Sequence, residues 1–248
     1  MAYIENPKFA GSGIVACVPQ DGPCPFGCKG CFANASNSYL PDHQPNIPTV
    51  EMAMGRVVRM NDANDSNNQR DLVMRTAEPY ANAFYNTSRP RLDFDKPVVL
   101  TINPGEMTDK SYYTLSDCGL DDKAPKNLMF VRFRTNAWSK DLCAEAVGYW
   151  TGLNVPVVLV FMAYNGEDDI PEDYRRDYVF RKRTLNPYWA ITTTAWKEIV
   201  TRFLTTKLVY SCGRVEGELG DTKCKFCGNC LREYYATMER MRLCQTTR

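Results

Sequence analysis

The chain has 248 residues, 44% of them hydrophobic and 24% charged, and its 30 Lys and Arg against 29 Asp and Glu leave a formal charge of +1. Such proportions exclude a disordered or fibrous chain, and the near balance of charge excludes a broad basic footprint for duplex phosphates, so any nucleic-acid contact must be local. The length allows one core of the size of an α/β barrel and no second full domain.

The start, MAYIENPKFAGSG, lacks the basic and apolar regions of a signal peptide. The longest apolar stretch, residues 155–163, is too short to span a bilayer. A cytoplasmic protein without membrane contact is therefore expected. Residues 13–18 read as a strand, followed by the Pro- and Gly-rich loop PQDGPCPFGCKGC. Residues 50–60 and 70–86 read as helices separated by the polar NDANDSNNQ, with Pro79 kinking or breaking the second. Residues 97–102, 128–133, 156–163 and 207–210 are near-continuous apolar runs, the pattern of parallel strands covered on both faces. Helices are predicted over 139–152, with Ser139 as N-cap, over 196–204, and over 229–243, where Leu231, Tyr234, Met238 and Met241 form an apolar stripe of the core-packing kind. Alternating strands and helices predict an α/β fold.

Eleven cysteines and a single histidine, His43, carry more information than the bulk composition. Seven cysteines fall into two tight groups, which in a reducing compartment argues for metal or cluster binding rather than disulfides. The lone histidine disfavours His-rich zinc sites and His-activated nucleophiles. Cys24-x3-Cys28-x2-Cys31 offers three thiolates. Three sulfur ligands leave one iron of a 4Fe-4S cube open, whereas electron-transfer clusters close with four; a zinc knuckle is the structural alternative. Cys212-x11-Cys224-x2-Cys227-x2-Cys230 offers four thiolates, enough to close either a second cube or a zinc site. Cys17, Cys118, Cys143 and Cys244 read as buried or incidental. Cys118, in LSDCGLDD, is the one candidate hydrogen-atom donor among them.

The CxxxCxxC loop after the first strand resembles the signature of the radical S-adenosylmethionine (SAM) superfamily. The resemblance implies a partial (β/α) barrel over residues 1–211 with a cysteine-rich module over 212–248. It also implies SAM bound at the open iron through its amino and carboxylate groups, and reductive cleavage to a 5'-deoxyadenosyl radical that abstracts hydrogen from a substrate. An external electron donor of the flavodoxin or ferredoxin type is implied as partner. The family's aromatic residue before the third cysteine is Gly30 here, and Phe32 is the replacement candidate. Asn103-Pro104-Gly105-Glu106, after the second apolar strand in this reading, resembles the family's Gly-Gly-Glu turn, which makes Gly105 and Glu106 SAM-binding candidates. Strand-end residues Arg132, Arg134, Asn136, Tyr164 and Asn165 are further cofactor-binding candidates, since barrel sites gather at the C-terminal ends of strands. CxxCxxC resembles the auxiliary-cluster segments of larger members.

For the substrate, compact size and the basic, aromatic stretch 174–183 (YRRDYVFRKR) favour a nucleobase or nucleotide. The run VRFRTNAWSKDLCAEAVGYW is similar to radical SAM-like proteins of bacteriophages, which points to nucleic-acid hypermodification. A peptide-modifying maturase is the alternative within the class. A non-catalytic iron-sulfur or zinc protein is the alternative outside it.

Overall fold

The computed structural model describes residues 2–28, 31, 39–40, 42–103, 112–182, 187–212 and 224–245. Seven strands form one parallel sheet: β1 (Ile14–Cys17), β2 (Val57–Met60), β3 (Ala83–Thr87), β4 (Val98–Ile102), β5 (Leu128–Thr135), β6 (Val157–Phe161) and β10 (Val209–Ser211), in the order β1-β2-β3-β4-β5-β6-β10. The first six neighbours follow chain order, as a progressively wound β/α fold requires, and β1 and β10 are the two edges of the sheet. A smaller antiparallel sheet, β7 (Ala163–Tyr164), β9 (Tyr188–Ile191) and β8 (Tyr178–Arg181), follows β6 in the chain.

The four apolar runs become strands as expected, while both early helices are corrected. Residues 50–60 split into α1 (Val50–Ala53) and β2. Gly55 turns the chain at φ +72° between them, and Val57 and Val58 are buried on opposite faces of the sheet. Residues 70–86 split into α2 (Arg70–Ala77) and β3, since Pro79 follows the last helical turn and the aromatic run after it packs on both faces. The Asn103 turn consequently follows the fourth strand, not the second.

Helices α2, α3 (Lys140–Gly152) and α4 (Thr193–Thr201) cover one face, where Val58, Tyr85, Leu100, Val131 and Leu159 meet Val73, Val147, Trp150 and Trp196. Ser139 ends a 3-10 turn before α3 without a side-chain cap bond, and Asn136 caps that turn. The other face alternates in phase: Val57, Phe84, Val99, Phe130 and Val158 form an apolar row capped by Tyr234 of α6 (Asn229–Gln245). Along four of these strands the same face turns polar two residues further on, at Arg59, Asn86, Thr101 and Arg132.

The predicted C-terminal helix is thus the cover of that second face. Of its stripe, Tyr234 is fully buried and Leu231 packs partly, while Met238 is exposed; Glu233 and Thr237 take buried places instead. Asn229 Nδ2 donates to Ser211 O at 3.0 Å and Arg240 Nη2 donates to Leu128 O at 2.7 Å, which ties both ends to the sheet. Close approach also depends on Gly13, at φ +73°, where a Cβ would stand 3.3 Å from the Leu231 side chain. Among the described residues no helix is long and apolar enough to cross a membrane.

Candidate metal and cofactor sites

The first cysteine group begins a few residues beyond the C-terminal end of β1. Cys24, Cys28 and Cys31 are all half-buried, and Cys31 N–H donates to Cys28 O at 3.1 Å, which folds the loop back on itself. Burial pushes the Cys24 thiol up to about 11; Asp65, Cys28 and Cys31 add to the rise and the Phe26 N–H opposes it. Cys28 Sγ lies 3.6 Å from Ser88 Oγ, just after β3.

Asp65 organises this edge. One carboxylate oxygen accepts from Ser88 N (2.6 Å) and Ser88 Oγ (2.9 Å), the other from Thr87 Oγ1 (2.8 Å) and Asn67 N (2.9 Å). Gln20 donates to the carbonyls of Asp65 and Asn68 and accepts from Asn61, so β1, β2 and β3 meet in one buried polar layer beneath the cysteines. Such charge-assisted bonds are about twice as strong as neutral ones. Asp65→Asn is therefore expected to lower stability by about 2 kcal/mol, because an amide N–H₂ would face donors. Chemical denaturation checks it, and an unchanged midpoint would show that this layer does not hold the loop.

Next to Ser88, the Arg89 guanidinium stacks 4.1 Å over the Phe26 ring, inside the cysteine loop, and its Nε is buried without a hydrogen-bond partner. Burial raises the Tyr113 phenol, Arg89 opposes the rise, and Cys28 and Cys118 add to it, so Tyr113 lies among these three groups. The Cys118 thiol is pushed up to about 12 by burial, with Asp117 adding. Phe32, Gly105 and Glu106 lie outside the described residues.

The second group gathers on the α6 face of the sheet. Cys212 follows β10, its N–H donating to Leu159 O at 2.8 Å; Cys224 and Cys227 bound the single turn α5 (Cys224–Cys227); Cys230 opens α6. Gly228, at φ +65°, makes the reversal between the two helices. The Cys212 thiol is raised by a hydrogen bond with Cys227, then by burial, with Cys227 and Cys230 adding charge repulsion. Burial pushes the Cys224 thiol up to about 11; Arg59 opposes this, and Cys230 and Cys227 add to it. Cys212 and Cys230 pack against the Phe130 cluster, Cys224 and Cys230 against Phe9, Ile14 and Ala16.

No family model matches this chain, and neither a curated protein nor a solved structure matches it. Among the described residues no set of three or more His, Cys, Asp or Glu side chains is arranged to hold a metal ion as it stands. The thiols of each group are neighbours and not a formed ligand shell. What fits a cluster or a metal is the donor set, soft sulfur in threes and fours, together with a guanidinium nitrogen left without a hydrogen-bond partner near each group: Arg89 Nε at the first and Arg59 Nε at the second.

The strand-end candidates disperse. Arg132 points into the polar row on the α6 face, donating to Asn86 Oδ1 (3.1 Å) and Thr101 Oγ1 (3.3 Å), and the charged groups within its reach are Arg59, Cys230, Cys212 and Asp62. Asn136 accepts from Ser139 N and donates to the Tyr164 hydroxyl at 3.1 Å, so both serve the turn before α3. Tyr164 also packs with Trp138 and Tyr178, Arg134 lies within electrostatic reach of it, and Asn165 is exposed. The sequence reading missed Asp65, Ser88 and Arg89, which stand in stretches taken for plain loop and helix end. Two aromatics of the basic stretch, Tyr174 and Tyr178, pack against Trp138 and offer no free stacking face of the kind expected; Phe180, beside Trp189, is exposed.

Proposed function

We propose that this protein is a radical SAM enzyme whose first cluster is held by Cys24, Cys28 and Cys31. The observation that carries the reading is the three-thiol loop at the C-terminal end of the first strand of a parallel sheet wound in chain order, the edge where β/α folds place their chemistry. When bound, a 4Fe-4S cluster with SAM supplies an electron to the sulfonium and yields a 5'-deoxyadenosyl radical. The chain's own residues have three tasks there. Asp65 and Ser88 position the Cys28 side of the loop; Arg89, stacked on Phe26 and without a carboxylate partner among the described residues, receives anionic charge; Tyr113 and Cys118 line the same neighbourhood. Glu106 and Gly105 are proposed to receive the methionine ammonium, and Phe32 to cover the cofactor.

The four C-terminal cysteines are proposed to hold a second 4Fe-4S cluster, with zinc as the alternative, and a flavodoxin- or ferredoxin-type protein to donate electrons. The substrate we propose is a nucleobase or nucleotide. Its support is narrower than for the class: exposed Phe180 beside Trp189, with Arg181 on the same small sheet and Lys182 directly after it.

Anaerobic reconstitution followed by iron and sulfide counting, then addition of SAM and dithionite, tests the class. A changed cluster spectrum with SAM and release of 5'-deoxyadenosine are expected; a reconstituted cluster indifferent to SAM would leave a carrier protein. In the same assay Arg89→Met is expected to weaken SAM binding about tenfold, the worth of one charge-assisted hydrogen bond. Iron content should not change, and equal affinity would remove Arg89 from the site.

A further inference from the structure

We infer that Arg59 and Arg132 are the counterions of the C-terminal four-cysteine group, facing its sulfur atoms from the polar row of the sheet. This rests on the proposed reading of Cys212, Cys224, Cys227 and Cys230 as a metal or cluster site. An inward position on a sheet face covered by a helix ordinarily takes an apolar side chain, and Val57, Phe84, Val99 and Phe130 obey that rule one row below. Two residues on, β2 and β5 instead place arginines.

Both arginines are built into the face that carries the sulfur. Arg59 stacks 5.4 Å over the ring of Phe9, and Cys224 and Cys230 pack against the cluster that Phe9 forms with Ile14 and Ala16; Arg132 lies 5.7 Å from the centroid of Phe130, a member of the cluster that Cys212 and Cys230 pack against. The Arg59 side chain keeps 14% of its exposure, and its Nε is buried with no partner. Its carboxylate, Asp62, stands at 3.4 Å. Among the described residues Arg132 has no ion pair; its bonds go to neutral Asn86 and Thr101. Two guanidiniums thus share one carboxylate. Withdrawing a guanidinium from water costs several kcal/mol unless an anion faces it, so the row is electrostatically incomplete by one negative charge or more.

Four cysteine thiolates supply it. Around a zinc ion, or around a cube whose inorganic core carries two positive charges, they leave a net charge of about −2. The α6 N-terminus, at Cys230, adds its partial positive charge on the same side. Arg59 lies within electrostatic reach of Asp62 and then of Cys230, Cys224 and Cys212; Arg132 meets Arg59 first and then Cys230, Cys212 and Asp62, so the two cations repel each other and share the same sulfur neighbours.

The test uses cobalt(II) as probe, titrated anaerobically into the metal-free full chain, with the sulfur-to-cobalt charge-transfer band and the visible bands of a tetrahedral tetrathiolate site as readout. Cys212→Ser identifies the signal with this group. Arg132→Met and Arg59→Met are each expected to lower cobalt affinity about tenfold, or about 1.4 kcal/mol, with Arg242→Met, on the exposed end of α6, unchanged. Arg132→Lys keeps the charge and is expected to stay within about twofold of the parent. Parent-like affinity in both methionine variants would overturn the inference. A lysine variant as weak as Arg132→Met would overturn it too, by assigning the effect to the guanidinium's bonds with Asn86 and Thr101. If Arg132→Met does not fold, Arg59→Met carries the comparison. A parent chain without a tetrathiolate signal would instead refute the metal reading itself.

Discussion

Replacing Cys24, Cys28 and Cys31 together by Ala is expected to abolish 5'-deoxyadenosine formation and remove the iron of one cluster while leaving the protein folded. The three side chains are half-buried in a loop, and of them Cys31 alone packs on a buried cluster, against Val18, Leu40 and Ala63. A stability change within about 1 kcal/mol follows for such surface-loop positions. The chemical effect is all or nothing, because three sulfur ligands are the minimum that holds a cube with one open iron. Iron counting, circular dichroism and product analysis on one preparation separate the cases. Deoxyadenosine at the parental rate would sink the class assignment; an unfolded protein with lost activity would mean that the loop is a structural staple.

The fold was legible where one physical signal dominates. The runs VVLTI, LMFVRF and PVVLVFMA are apolar on both faces, and only strands buried between two layers of helix ask for that. It was illegible where a strand is short and follows a helix closely. VVRM and AFYNT break their apolar run after two or three residues, at Arg59 and Asn86, and lie within a few residues of α1 and α2, so each reads as the continuation of a helix and its period of two is hidden within four or five residues. Missing those strands moved the Asn103 turn from the fourth strand to the second.

The cysteines were legible as two groups because spacing alone reveals chelation. Their partners were not. Asp65 and Ser88 meet across 23 residues, and Arg59 and Arg132 come within electrostatic reach of a cysteine segment about 80 to 170 residues away in the chain, proximities that only the sheet order creates. The strand-end rule likewise drew in Asn136 and Tyr164, which the structure spends on capping a turn and filling an aromatic cluster.

Tyr234→Ala is expected to cost about 3 to 5 kcal/mol, the range for removing a large aromatic from a packed core, and, on the proposed reading of the two cysteine groups, to strip the second of its metal before the first. Tyr234 is 1% exposed and is the α6 side chain that fills the apolar row of Val57, Phe84, Val99, Phe130 and Val158. Its ring lies 6.3 Å from that of Phe84. Asn229 ties one end of α6 by a hydrogen bond to Ser211 O and Arg240 the other by bonds to Lys126 O and Leu128 O, worth about 1 kcal/mol each, so the aromatic anchor outweighs any one of them. Loosening it frees Cys230, at the start of the same helix, from Cys212 at the end of β10, and a four-sulfur site cannot survive that separation. Tyr234→Phe is the control: it keeps the ring and gives up only a 3.3 Å bond to Asn82 Oδ1, a loss of about 1 kcal/mol or less. Thermal unfolding with metal analysis on both variants decides it. A Tyr234→Ala protein as stable as the parent and still carrying both metals would show that α6 does not seat the cysteine module on the sheet.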